Sequence, residues 1–233
     1  MTQTVYAAIG DIHGELERLK ELHDQVRFYV DRELDGAGVT WIHLGDLIDR
    51  GEDSCGVVDH LIEMEDRMGA RSITLRGNHE QMMIEALRFD DEVAHSNWLK
   101  WGGEETMESY RRRGLDGPTD AHLDWLHALP TIHRDEQQGL VFVHGGVDPD
   151  AFPECGERVR MWTRRREFFD TRCWTAPALI GQVVVHGHTP TMDWKPDVTA
   201  DGRRINLDTG AVYGGKLTAA ILVPGAEPRF LHS

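Results

Sequence analysis

The sequence predicts an α/β fold, a mixed β-sheet with parallel strands and helices laid against it. Three observations carry this. Short apolar runs rich in β-branched residues recur at positions 5–9, 41–44, 73–75, 140–143 and 183–185, with the length and composition of buried strands. The early runs alternate with patterns of helical period, the rhythm of parallel strands joined by crossover helices. Each run also ends in a block of Asp, His or Asn with glycine: Gly10-Asp11-Ile12-His13-Gly14, Gly45-Asp46-Leu47-Ile48-Asp49-Arg50-Gly51, Gly77-Asn78-His79-Glu80, His144-Gly145-Gly146 and His186-Gly187-His188-Thr189. Loops leaving the carboxyl ends of neighbouring strands converge on one crevice, so five blocks far apart in sequence can build a single site.

The strand at 5–9 and its turn lead into residues 15–34, where Leu16, Leu19, Leu22, Val26 and Val30 return at three- and four-residue steps as the buried stripe of an amphipathic helix. Residues 39–44 give the next strand. Cys55, Val58, Leu61, Ile62 and Met68 mark a second helix, and 72–75 a third strand. From about 82 to 129 the pattern turns helical and rich in Trp and charge, broken at Gly102-Gly103 and Gly117-Pro118. This reads as a helical cap inserted into one domain, with Trp98, Trp101 and Trp125 in its core rather than as a substrate platform. Strands resume at 139–143, 182–185, 204–208 and 216–223. The last two are separated by 209–215, whose three glycines suit a tight antiparallel return. No repeat or linker divides the 233 residues, so a single domain is expected.

Composition narrows function by exclusion. With 25 Lys and Arg against 40 Asp and Glu the formal charge is -15, which disfavours sequence-independent binding to nucleic acid or an anionic membrane. The longest early apolar run is too short for a signal-peptide core or a membrane span, and a cytoplasmic location is the expectation. Cys55, Cys155 and Cys173 are odd in number, widely spaced and form no C-x-x-C pair, so they read as reduced structural thiols.

A lone Gly-Asp or His-Gly is a turn signal, whereas five such blocks together are a ligand set. Carboxylate, imidazole and amide oxygen suit hard-to-borderline divalent ions such as Mn²⁺, Fe²⁺ or Zn²⁺. Two such ions a few Å apart need a bridging carboxylate to offset their repulsion. Asp46 is the candidate. Asp11 and His13, two apart on one turn, would complete the first metal, and Asn78, His144 and one histidine of His186-Gly187-His188 the second.

In this order and spacing the blocks resemble those of the phosphoprotein phosphatase family of calcineurin-like metallophosphoesterases. That family includes Ser/Thr protein phosphatases, the phage lambda phosphatase and the symmetrical diadenosine tetraphosphatases of bacteria. The likeness covers nearly the whole chain, since His-x-Gly, Gly-His-Thr and Asp-Thr-Gly-x-x-x-Gly-Gly also fall where the bacterial members carry them. It implies an α/β/α sandwich of two mixed β-sheets flanked by helices, with the metals at the strand ends and a small helical cap beside them. It implies Asp11, His13 and Asp46 on one metal, and Asp46, Asn78, His144 and His188 on the other. Arg50 and Arg164, the latter in Met161-Trp162-Thr163-Arg164, become phosphate clamps, a role the planar guanidinium fork fits. His79 becomes the general acid, with Asp49 fixing its tautomer. His186, where eukaryotic members carry Arg, falls beside the metal rather than on it. The other histidines, His23, His43, His60, His95, His122, His127, His133 and His232, lack a ligand motif, and Tyr213 reads as a turn aromatic.

The activity so implied is hydrolysis of a phosphate ester by in-line attack of metal-activated water, without a phosphoenzyme. Mn²⁺ is the favoured ion, with Fe²⁺, Zn²⁺ or Mg²⁺ as others the site would take. A serine/threonine protein phosphatase is the first expectation, because a compact chain with a short cap should leave the metals open to a phosphoprotein or a phosphorylated small molecule. The alternative is a bis(5'-nucleosyl)-tetraphosphatase, which would use the same centre on an anhydride and stack adenine on Trp98 or Trp101. A phosphoprotein-binding module without turnover would have no use for His79.

Overall fold

Strand β1 (Val5–Ile9) is buried along its whole length because it lies inside a sheet covered on both faces. In the computed structural model, which describes residues 4–89 and 91–233, β2 (Val39–His43) and β3 (Ser72–Thr74) run parallel to it on one side. On its other side lie β9 (Thr218–Leu222), antiparallel to it, and then β10 (Arg229–His232), antiparallel to β9. A second sheet repeats the plan. There β5 (Leu140–Val143), β6 (Val183–His186) and β8 (Arg204–Asn206) are parallel, flanked by antiparallel β4 (Ile132–Asp135) and β7 (Asp197–Val198). The chain is thus two mixed sheets flanked by helices, as the motif order implies.

Side-chain alternation explains the layers. Val5, Ala7 and Ile9 pack with Leu19, Leu22 and Val26 of α1 (Leu16–Glu33) and Val58 and Leu61 of α2 (Ser54–Met68). Tyr6 and Ala8 turn the other way, into a core between the sheets with Ile42, Phe142, Val185 and Ile205. On the far face of the second sheet, Val141, Val143 and Val184 are covered by Phe168, Trp174 and Leu179. Six parallel strands therefore send their carboxyl ends toward one rim.

Between β3 and β4 the chain is helical: α3 (Asn78–Arg88), α4 (Glu92–Trp98), a π-helical turn (Leu99–Gly103), α5 (Glu104–Arg112) and α6 (Asp120–Ala128). The three tryptophans expected in a common core separate here. Trp98 is fully buried, Trp125 is half-buried with its Nε1 on Glu65, and Trp101 is 59% exposed.

The expected hairpin at 209–215 does not form, since β8 and β9 belong to different sheets. Gly210 (φ 67°) and Gly214 (φ 90°) bracket a single 3₁₀ turn, Ala211–Tyr213, closed by Lys216 N to Thr209 O at 3.2 Å. The glycines shape a passage that carries the chain from one sheet to the other over the strand ends. Arg18 of α1 pins it from below through the Ala211 and Gly215 carbonyls. Edge strands β4, β7 and β10 escaped the pattern because each is short and interrupted by charged or polar residues, as edges are. All three cysteines are free. Among the described residues no helix is long and apolar enough to cross a membrane.

Three histidines without a ligand motif form a chain between α1, β2 and α2. His23 bonds His60 through Nδ1 and His43 through Nε2, both at 3.1 Å. Burial pushes His43 from its ordinary 6.5 down to about 3, and it lowers His23 and His60 as well. Because the folded pKa lies below the unfolded one, the unfolded chain takes up more protons as pH drops, so this stability is present above about 6.5 and lost below it. For His43 the loss between pH 7 and pH 5 is about 2 kcal/mol, or a fall in Tm of about 4–8 °C. His43→Leu should flatten that fall. Thermal unfolding at the two pH values checks it, and an equal fall in both proteins would place the acid sensitivity elsewhere.

Candidate metal centre

The strand ends deliver the predicted residues to one rim. Asp11 and His13 follow β1, Asp46, Asp49 and Arg50 follow β2, Asn78 and His79 open α3 after β3, His144 follows β5 and His188 follows β6. All are buried except Arg50, which is half-buried. Five of them, His13, Asp46, Asp49, Arg50 and His188, adopt positive φ between 45° and 73°. Side chains rarely tolerate that region, and such residues persist where the surroundings hold them.

Asp46 is the hub. Its carbonyl oxygen accepts from the amides of Ile12 and His13 at 3.0 and 2.8 Å, and its Oδ1 accepts the His79 amide at 3.1 Å. His13 Nδ1 donates to the Ile48 carbonyl at 2.8 Å, which leaves Nε2 directed at Asp46 Oδ2, 3.6 Å away. His144 is set the same way, with Nδ1 donating to the Leu44 carbonyl at 2.9 Å. Its Nε2 then faces two oxygens, Asp46 Oδ1 at 3.2 Å and Asn78 Oδ1 at 3.0 Å. Backbone carbonyls that take one ring proton and aim the other nitrogen inward are the usual support of metal-binding histidines.

Two donor groups result, His13-Asp46-His79 and Asp46-His144-His188, each with its donor atoms within 4.8 Å of one another, and they share Asp46. This would suit a pair of divalent cations bridged by one carboxylate, although in the first group His79, expected as the proton donor, stands where Asp11 was expected as the ligand. Electrostatics agree. Burial and the neighbouring Asp208 carboxylate push Asp11 well above its ordinary value, and burial lifts Asp208 to about 6. Burial opposes charge on Asp46 too, yet His144, His79 and His13 around it hold it low. Burial likewise opposes charge on His144, but Asp46 raises it to about 10. The cluster asks for positive charge between its oxygens, which a proton or a metal can supply.

Asp11 sits in the cluster but outside both triads. Its carboxylate accepts the His188 amide at 3.0 and 3.1 Å. A Cβ on Gly187 would collide with Asp11 Oδ1, so the glycine is what lets this backbone reach the carboxylate. His186 turns away: its Nε2 accepts from Arg204 at 3.0 Å and its ring packs edge-on to Phe168. Of the three consecutive arginines, Arg164 faces the site, with Nε on His188 Nε2 at 3.1 Å, while Arg165 pairs with Asp148. Arg50 donates to His13 Nε2 at 2.6 Å and lies over the Tyr213 ring.

His79 Nδ1 and Asp49 Oδ2 are 2.7 Å apart, both buried. Burial raises Asp49 to about 8 and lowers His79 to about 4, each resisting charge in a dry pocket. The hydrogen bond between them lets the pair hold one proton jointly.

Two supporting carboxylates were not singled out from the sequence. Glu80 accepts from the amides of Gly77, Asp46 and Leu47 at 2.7–2.9 Å and thereby clamps the β2 and β3 loops together. Its place after Asn78-His79 was the available signal. Asp208 follows β8 as the other blocks follow their strands, a sixth instance of the same pattern. Around the centre lies a cavity of about 270 Å³, walled by Met82, Trp101, Trp162, Pro190 and Tyr213 with Arg50 and Arg164 at its edge.

The model of the family described as calcineurin-like phosphoesterases matches residues 5–213, and the chain belongs to that family. It is a metallophosphoesterase, a hydrolase whose family implies divalent metal ions. An asymmetrical bis(5'-nucleosyl)-tetraphosphatase of Halalkalibacterium halodurans is 26% identical over 94% of both chains. A symmetrical bis(5'-nucleosyl)-tetraphosphatase of Azotobacter vinelandii is 32% identical over 62% of this chain, a match spanning only 44% of that relative. A protein serine/threonine phosphatase structure from Saccharomyces cerevisiae superposes with a TM-score of 0.62 at 17% identity, covering 96% of this chain and 74% of that one, a likeness of fold.

Asp46→Asn removes the charge of the proposed bridge and should release both cations, abolishing hydrolysis while the sheets stay folded. Elemental analysis of the purified variant checks this, and two ions per chain would refute the bridge.

Proposed function

We propose that this metallophosphoesterase hydrolyses dinucleoside polyphosphates. The observation that carries the reading is the aromatic rim of the cavity, where Trp101 and Tyr213 stand 59% and 52% exposed beside two arginines and the donor cluster. Large aromatic faces left in water next to a phosphate clamp suit a base at one end and a phosphate chain at the other. The full-length likeness to a tetraphosphatase supports it.

The ligands would be Asp11, His13 and Asp46 for one ion and Asp46, Asn78, His144 and His188 for the other. The ions, Mn²⁺ by preference for this mixed oxygen and imidazole set, would supply Lewis-acid polarisation of the phosphoryl group and acidify water. Arg50 and Arg164 grip the phosphate oxygens and spread the charge that develops on them. His79 hands a proton from Nε2 to the departing oxygen, and Asp49 holds its Nδ1 so that Nε2 points inward. Trp101 and Tyr213 fix the nucleoside.

A phosphoserine or phosphothreonine protein substrate is the second reading. It is favoured by a groove of about 590 Å³ running from Arg50 along α5, lined by Glu52, Glu104, Glu105 and Glu108 together with Arg111 and Arg112, a mixed-charge surface on which a polypeptide could lie.

Side-by-side kinetics with Mn²⁺ on diadenosine tetraphosphate, phosphopeptides and para-nitrophenyl phosphate decide between them. The nucleotide should have the highest kcat/KM, and a phosphopeptide preference of tenfold or so would reverse the order. Trp101→Ala should lower kcat/KM on the dinucleotide by roughly tenfold or more, as expected for a lost base stack, and leave the aryl phosphate almost unchanged. Equal losses would leave Trp101 a packing role only. His79→Asn should retain metal and slow phenyl phosphate by roughly 10² or more, with a distinctly smaller loss on para-nitrophenyl phosphate, whose leaving group needs no proton. The same loss on both would assign the proton to another donor.

A further inference from the structure

Asp49 is held by more than His79. Trp98 Nε1 lies 3.1 Å from both of its carboxylate oxygens, and Thr106 Oγ1 donates to Oδ1 at 2.7 Å. The Asp49 amide is taken up as well, by Ser54 Oγ and Thr106 Oγ1 at 3.0 Å. Nothing in core packing requires this of Trp98. A phenylalanine or leucine would fill a fully buried site, whereas an indole N–H must find an acceptor, and here it finds one buried carboxylate.

The backbone around these two residues is built for the contact. Trp98 and Thr106 flank the π-helical turn Leu99–Gly103, a wide turn that costs helical regularity and is frequent at functional sites. Within it Gly102 takes φ 112° and gives its carbonyl to the Arg50 amide at 3.1 Å. A Cβ on Gly102 would stand 2.6 Å from Arg50 Cγ, and one on Gly103 2.5 Å from the Trp98 ring. The turn thus lays bare backbone on Arg50 while it swings the indole under Asp49.

We propose that Trp98 and Thr106 are positioning residues for the Asp49–His79 pair: by fixing both oxygens of the Asp49 carboxylate they fix the plane of the His79 ring and the aim of its Nε2. This rests on the reading of His79 as the proton donor. A carboxylate free to rotate about its Cβ–Cγ bond would let the imidazole swing, and small misplacements of a reacting group cost rate rather than binding.

Trp98→Phe removes the N–H and keeps an aromatic core side chain, and Thr106→Val removes the hydroxyl at constant shape. Each would be made alone and together with His79→Asn, and kcat, KM and metal content measured with Mn²⁺ on phenyl phosphate and para-nitrophenyl phosphate. On phenyl phosphate Trp98→Phe should lower kcat about five- to tenfold, the scale of one lost hydrogen bond, with KM and metal content within about twofold of the parent. In the His79→Asn background the further loss should vanish, because the two substitutions remove one function. A loss of equal size in both backgrounds means a structural role and overturns the proposal. So does wild-type kcat in both single variants while His79→Asn remains leaving-group selective, in which case the proton-donor reading stands alone. If His79→Asn slows both substrates equally, that reading falls and the proposal with it. Should Trp98→Phe fail to fold, Thr106→Val carries the same test.

Discussion

Buried negative charge at Asp46 is the constraint around which the rest is arranged. A carboxylate 2% exposed, with Asp11 and Asp208 close by, is costly unless positive charge and hydrogen bonds meet it. The fold meets it from four directions: the His79 amide from α3, His13 from the β1 loop, His144 from the second sheet, and the cations that these donors would share. Its own backbone is tied down too, its amide to Glu80 and its carbonyl to the β1 turn. Loosening any one tie would disturb the others, which explains why five residues of the rim can stay at positive φ.

The parts of this arrangement that were legible in the sequence are those written by burial. Strand β1 and helix α1 follow from their apolar period to within one residue, because both are covered on the faces the period marks. The donor blocks stood out because the same strand-then-ligand pattern recurs. What stayed hidden depends on contacts between distant segments. Nothing local in 209–215 says that its two flanking strands join different sheets, since a glycine-rich tight turn serves a hairpin and a crossing equally well. Likewise Trp98 and Trp101, three residues apart, carry the same hydropathy. Only the π-helical turn, which periodicity cannot reveal, sends one under Asp49 and the other into solvent.

The two kinds of element divide the labour. Parallel strands hold their ends through ladders in both sheets, so groups mounted there keep fixed separations, and the candidate ligands are all mounted there. Beyond α3, whose first turn carries Asn78 and His79, the helical segment between β3 and β4 touches the centre indirectly, through the Trp98–Asp49 and Gly102–Arg50 contacts, and contributes Trp101 to the rim. Among relatives that share the strand-end chemistry, a segment so placed is where substrate preference can change without disturbing the donors.

That placement also couples selectivity to chemistry. Trp101 and the bond from Gly102 to Arg50 belong to the same five-residue turn, so a group settling against the exposed indole would bear on the backbone that seats Arg50, the proposed phosphate clamp, and, one residue before the turn, on the indole that seats Asp49. A base stacked on Trp101 would therefore steady Arg50 and the His79 partner together. Binding energy from a part of the substrate remote from the reacting phosphorus would reach the groups that act on it, the economy by which remote contacts raise turnover as well as affinity. A small aryl phosphate, which would leave Trp101 untouched, would forgo that contribution.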